Sequence, residues 1–241
     1  MTEKKCVVVI GATSGIGKEL ARVYSQKGYR IGLTGRRRES LEALKTELGS
    51  SCFISDFDIT QPGAEKKLSE FIDEVSNVDI IVINAGLGGE NTELLLEHEE
   101  AIIQTNCLGF TKMAVASYNY FSRKGTGHIV GISSVLAIRG TWKEMAYSAS
   151  KSYVTAYLNC LRNKRLQDRV QIKITDIKPG FVDTPMTKGI NGMFWVAPPN
   201  KVALQIYKIV RAGKEHAYVT KRWSIIGILM SILPRIFFRR L

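Results

Sequence analysis

Histidine and cysteine are scarce in this chain. Its 241 residues hold three histidines (His98, His128, His216) and four cysteines (Cys6, Cys52, Cys107, Cys160). The histidines show no ligand-like spacing, so no metal is expected. The cysteines are scattered and form no CxxC pair. That argues against a disulfide framework or a zinc site and suits reduced thiols in a cytoplasmic protein. Long apolar runs are also missing. The opening MTEKKCVVVI passes straight into a glycine loop, without the apolar region and cleavage site of a signal peptide. No low-complexity tract and no internal repeat is visible. Acid is in short supply: 34 Lys and Arg face 22 Asp and Glu, for a formal charge of +12. Residues 201–241 carry nine of the basic residues and one acid, and Arg36-Arg37-Arg38 forms a second cluster. A basic surface attracts DNA, anionic lipid or small anions. With no nucleic-acid motif beside it, no nucleic-acid partner is expected.

What is present is alternation. Apolar, β-branched runs at Lys5–Ile10, Arg30–Thr34, Cys52–Asp56, Val78–Ile83, His128–Ser133 and Gln171–Ile177 read as strands. Helical patterns separate them at Lys18–Lys27, Glu39–Leu48, Glu97–Phe121 and Ala146–Leu166. Nearly all-apolar strands alternating with helices predict a parallel sheet covered on both faces. With right-handed crossovers this is an α/β, Rossmann-type doubly wound sheet. A single domain over residues 1–220 is expected, with 221–241 as an apolar, basic tail. The ligand crevice of such a sheet lies at the carboxyl ends of the strands. The glycine loop, NAG (84–86), Ser133-Ser134 and Pro179-Gly180 all fall at strand ends.

GATSGIG (11–17) stands between a strand and a helix, where glycines permit a tight turn and a helix N-terminus favours a pyrophosphate. LTGRRRES ends the second strand. An acid there would select NAD, and arginine accommodates the 2′-phosphate of NADP. Tyr147 and Lys151 differ by four, so one helix face carries both, a turn apart. Free tyrosine titrates near ~10, and a neighbouring ammonium favours its phenolate.

GATSGIG, NAG, Asn106, Ser134 and YSASK, in this order and spacing, resemble the short-chain dehydrogenase/reductase family, from about Lys4 to Thr184. Ile10 stands where that family has a threonine, and Ile83 replaces a common asparagine. The resemblance implies an NADP(H)-dependent oxidoreductase that reduces a ketone or aldehyde or oxidises the matching alcohol. It implies a catalytic tetrad of Asn106, Ser134, Tyr147 and Lys151, with Asn106 holding a relay water. It implies cofactor contacts from Gly11, Thr13, Ser14, Gly15, Ile16, Gly17, Arg36, Arg37, Asp58, Ile59, Asn84, Ala85, Gly86, Tyr147, Lys151, Pro179, Gly180, Val182 and Thr184. A homodimer or homotetramer through the two long helices is also implied.

Residues 185–199 read as a substrate lid with large apolar groups (Met193, Phe194, Trp195) among turn residues (Gly189, Asn191, Gly192). Lid and tail together point to a lipid-like substrate. The apolar stretch Ile225–Leu233 is too short to cross a bilayer, which needs ~20 residues. With Pro234, Arg235, Phe237, Phe238, Arg239 and Arg240 after it, it reads either as a peripheral membrane contact or as a helix packed on the core or a subunit. Other readings of the whole chain are an epimerase or dehydratase on the same fold, and an NADP-sensing or scaffolding protein without turnover.

Overall fold

The protein is described by a computed structural model covering residues 4–190 and 192–233. Asn191 and the basic-aromatic stretch from Pro234 onward lie outside the described residues. Seven strands form one parallel sheet in the order β3-β2-β1-β4-β5-β6-β7. They are β1 (Cys6–Ile10), β2 (Arg30–Gly35), β3 (Cys52–Asp56), β4 (Ile80–Ile83), β5 (Thr126–Ile132), β6 (Gln171–Pro179) and β7 (His216–Val219). The order reverses between β1 and β4, which opens a crevice at their carboxyl ends.

β1 shows why the sheet has two covered faces. Its five side chains are all buried, and they alternate. Cys6, Val8 and Ile10 join one core with Leu68, Phe71, Phe121 and Leu158. Those partners come from α3 (Ala64–Val75), α5 (Phe110–Lys124) and α6 (Met145–Gln167). Val7 and Val9 join the other core with Leu20, Tyr24, Leu41, Leu44 and Ile206. These belong to α1 (Gly15–Gln26), α2 (Arg38–Leu48) and α7 (Pro199–Arg211). Each face therefore buries a complete apolar stripe against its helices.

Two elements depart from the sequence-based expectation. The helix expected over Glu97–Phe121 is broken into α4 (Leu96–Ile103), a π-helical segment (Gln104–Gly109) and α5. The wider turn falls on Asn106, and π segments concentrate at functional sites. The seventh strand was not legible: HAYV is short, and only its last residue is buried. The apolar tail begins as α8 (Trp223–Ile232), which packs Gly227 on Tyr218 of β7, where an added Cβ would meet the ring at 2.3 Å.

Candidate active site

The glycine loop is held from below. The Gly11 and Ala12 amides both donate to the Thr34 carbonyl at 2.9 Å, and the Asn84 and Ala85 amides donate to the Ile10 carbonyl. Gly11 has φ +84°, and a Cβ there would stand 2.6 Å from the Ala85 backbone. Asn84 Nδ2 donates to the Gly11 carbonyl at 2.8 Å, so this side chain braces the loop. Gly17 does not line the crevice. A Cβ on it would lie 2.1 Å from the Gly11 carbonyl oxygen, so its smallness lets α1 pack closely on the loop. Gly17→Ala is expected to cost about 1–3 kcal/mol by overpacking. Calorimetry should show a melting loss of roughly 2–4 °C per kcal/mol for a chain this long.

Above the loop lies a cleft of about 570 Å³. Gly11, Thr13, Ser14, Gly15 and Ile16 line one end, with Arg36, Arg37, Asp58 and Ile59 beside them. Asn84, Ala85, Gly86, Pro179, Gly180, Val182 and Thr184 line its walls, and Ser134, Tyr147 and Lys151 its other end. α1 starts at this cleft with no side-chain cap on Ser14 and no acid in its first turn. Its first backbone N–H groups and positive dipole end are thus free for an anion.

Thr13 stands against Gly35 and Arg37 at one end of the cleft. Arg37 donates to its Oγ1 at 2.8 Å. A Cβ on Gly35 would come within 2.6 Å of Thr13 Cγ2, so an acidic side chain at this position would be obstructed. Arg36 remains 72% exposed and faces Asp58 at 3.7 Å. Asp58 Oδ1 is already held by the Thr60 amide and hydroxyl, in a local turn. The cleft therefore presents guanidinium groups beyond the end of β2.

At the other end, Ser134 caps a 3-10 turn over Val135–Ala137. Its Oγ accepts from the Leu136 amide at 3.1 Å, which fixes the oxygen and leaves the hydroxyl proton free to donate. Ser133 lines the cleft too, but its hydroxyl is engaged by the Asp176 carboxylate and the Ile177 carbonyl. Tyr147 and Lys151 lie on one face of α6, with Nζ 5.6 Å from the phenol ring centroid. Lys151 is buried, and its Nζ donates to the Ile132 carbonyl at 3.0 Å. Burial pulls the Lys151 ammonium down to about 8, with the Asp176 carboxylate acting against the shift. Burial pushes the Tyr147 phenol up to about 12, a shift that the hydrogen bond from Ser134 only partly offsets. The neighbouring Glu144 carboxylate adds to the rise.

Asn106 is pinned rather than free. Its Oδ1 accepts from the Leu87 amide at 2.8 Å, and its Nδ2 donates to the Leu87 carbonyl and Ser150 Oγ. It does not line the cleft directly. Gly86 supplies the link: a Cβ there would lie 3.2 Å from both Asn106 Oδ1 and Lys151 Nζ. Several cleft residues escaped the sequence reading. Met186 reaches over Gly88 toward Tyr147, where an added Cβ would meet the ring at 2.9 Å and Met186 Sδ at 3.3 Å. Among the described residues of the lid, Pro185, Met186 and Thr187 line the cleft. Phe194 and Trp195 instead pack on Trp223 of α8, tilted and edge-on, with ring centroids 5.0 and 6.0 Å away. Phe194 and Trp195 thus pack on α8 and do not line the cleft.

This geometry has close counterparts. A family model described as short chain dehydrogenase matches residues 5–193. An uncharacterized oxidoreductase of Staphylococcus epidermidis is 32% identical over 190 residues, covering 78% of this chain and 82% of that protein. The NADP-dependent 3-hydroxy acid dehydrogenase of Escherichia coli is 36% identical over 183 residues, covering 73% of this chain and 72% of its own. Among solved structures, the closed form of serine dehydrogenase complexed with NADP+ is 29% identical with a TM-score of 0.76, covering 85% of this chain and 88% of that one. The chain belongs to the short chain dehydrogenase family of oxidoreductases.

Proposed function

We propose that the protein is an NADP(H)-dependent carbonyl reductase, working on a ketone or aldehyde or, in reverse, on the matching alcohol. One observation carries this reading: a fixed Ser134 hydroxyl, Tyr147 and Lys151 share one cleft with an uncapped helix start and two arginines. Two relatives support the cofactor choice, one named as NADP-dependent and one solved with NADP+. The cleft fits that group. Gly11, Gly15 and the start of α1 would receive the pyrophosphate, Arg36 and Arg37 the 2′-phosphate, and Val182 and Thr184 the nicotinamide end. When bound, NADPH supplies a hydride to a carbonyl carbon.

The chain's own groups supply the rest. Ser134 donates to the carbonyl oxygen and orients it. Tyr147, which keeps its proton at neutral pH, delivers that proton to the same oxygen. Lys151 stabilises the phenolate left behind. The space that Gly86 leaves between Lys151 Nζ and Asn106 Oδ1 suits a water that returns the proton. The ammonium form of Lys151 prevails below about pH 8 and is lost above it. Accordingly, kcat/KM for reduction is expected to be flat at lower pH and to fall through pH about 8. Asp176→Asn removes the charge that opposes the depression and should move the fall to lower pH. Initial rates across pH read both.

The catalytic end of the cleft favours an apolar substrate. Besides Lys151, no basic side chain lines that end among the described residues, and Leu87, Pro185 and Met186 do. A carboxylate-bearing hydroxy acid, as the Escherichia coli relative's name implies, would lack a cation there. We therefore favour a lipid-like ketone. An oligomer through α5 and α6 fits the exposed Val115 and Tyr153 on those helices. NADPH consumption against ketoacyl thioesters, 3-ketosphingoid bases, ketosteroids, 3-keto acids and small aldehydes tests the reading. Turnover of an apolar ketone supports it. Tight NADPH binding with no turnover on any of them would favour the sensing alternative.

A further inference from the structure

We infer that α8 and the adjoining Phe194–Trp195 corner dock on an anionic lipid surface. Ile225, Ile228, Leu229 and Ile232 follow the spacing i, i+3, i+4, i+7 and form one stripe. They are between 44% and 73% exposed. The opposite side of the helix is already used: Trp223 is buried, and Gly227 lies on Tyr218. The helix is thus fixed to the body along one side and apolar on the other. Phe194 and Trp195, both exposed, extend the stripe from the lid. An exposed apolar patch of this kind marks an interaction surface.

Charge identifies the occupant. Lys221 and Arg222 are exposed where α8 begins, and the Arg222 guanidinium lies 5.3 Å from the Trp195 ring centroid. Tryptophan beside arginine suits a membrane-water boundary. The sequence after Leu233 adds three arginines and two phenylalanines with no acid, and residues 201–241 hold nine basic residues and one acid. A second copy of this chain on the same face would bring like charges together. An anionic lipid surface matches both the apolar stripe and the charge. At 1.5 Å per residue α8 is about 15 Å long, half the ~30 Å of a bilayer core, so it lies on the surface. None of the described helices is long and apolar enough to cross a membrane.

Trp223 connects this face to the cleft wall. A Cβ on Gly180 would collide with its ring at 2.0 Å, and Phe181 stacks on it at 5.6 Å. Docking would therefore set the lid end of the cleft against the lipid, where an apolar substrate is dissolved. The docking claim does not depend on the reductase reading.

The test is co-sedimentation of the full chain with phosphatidylcholine vesicles and with vesicles that also contain phosphatidylserine. Binding to the second should be roughly tenfold tighter or more and should weaken as salt rises. Ile228→Asp with Ile232→Asp should lose at least about tenfold of it. NADPH fluorescence titration checks that the double variant is folded, and it separates failure of docking from failure of the cofactor reading. Should that variant misfold, Lys221→Glu with Arg222→Glu reads the same surface through its charge. Retention that ignores phosphatidylserine, or that survives both double variants, overturns the proposal. So does a double variant that merely splits an oligomer in light scattering, which would make this face a contact between copies.

Discussion

Tyr147→Phe is expected to lower turnover by about 10²–10⁴-fold, the range for removing a positioned general acid. NADPH affinity should remain close to that of the parent. The ring sits against Gly88 and near Met186, and its packing needs no hydroxyl. Only the proton is lost, together with the hydrogen bond to Ser134. Ser134→Ala should cost less, because it leaves the proton donor in place and removes only the group that orients the carbonyl oxygen. NADPH oxidation rates with fluorescence titrations of the same preparations separate chemistry from binding. Equal losses in both would place Tyr147 in cofactor binding and not in proton transfer.

Arg36→Ala is expected to weaken NADPH binding by roughly tenfold while leaving NADH binding nearly unchanged. A hydrogen bond to a charged group contributes about 1.5–3 kcal/mol, and 1.4 kcal/mol is about tenfold in affinity. The lower figure applies, since Arg36 is largely exposed and solvent screens it. The difference between cofactors should shrink further at high salt. Arg37 is the weaker contributor, because Thr13 already takes one of its donors. Restoring an acid at the end of β2 should not simply invert the preference: Gly35→Asp would press on Thr13. Titrations with both cofactors, at two salt concentrations, read this directly.

The legible parts of the molecule were those written locally. β1 and β4 are runs of apolar, mostly β-branched residues, and buried strands of a parallel sheet read that way. Tyr147 and Lys151 announce themselves by helical spacing, and GATSGIG by its place between strand and helix. What could not be read depends on contacts far apart in sequence. Gly17 looks like a ligand-loop glycine, yet Gly11 and Asn84 decide its role. Asp176 sits 43 residues from the serine it holds. Asn106 is identical in sequence whether free or clamped, and the clamp comes from Leu87 across a π-helical segment. The packing of residues 185–199 was hidden for a similar reason. The partner of Phe194 and Trp195, Trp223, lies about thirty residues downstream. The phenol of Tyr147 carries the same lesson for electrostatics: Lys151, four residues away, is visible in the sequence, and the burial that raises the phenol is not.

The most direct test of the central claim is isotope transfer. The full chain would be turned over with NADPH carrying deuterium at both C4 positions, using whichever carbonyl substrate the panel yields. Mass spectrometry then locates the label in the product alcohol. The account predicts one deuterium on the former carbonyl carbon, formed at a rate that Tyr147→Phe nearly abolishes. Product without label at that carbon, or label transfer undiminished in Tyr147→Phe, would contradict it.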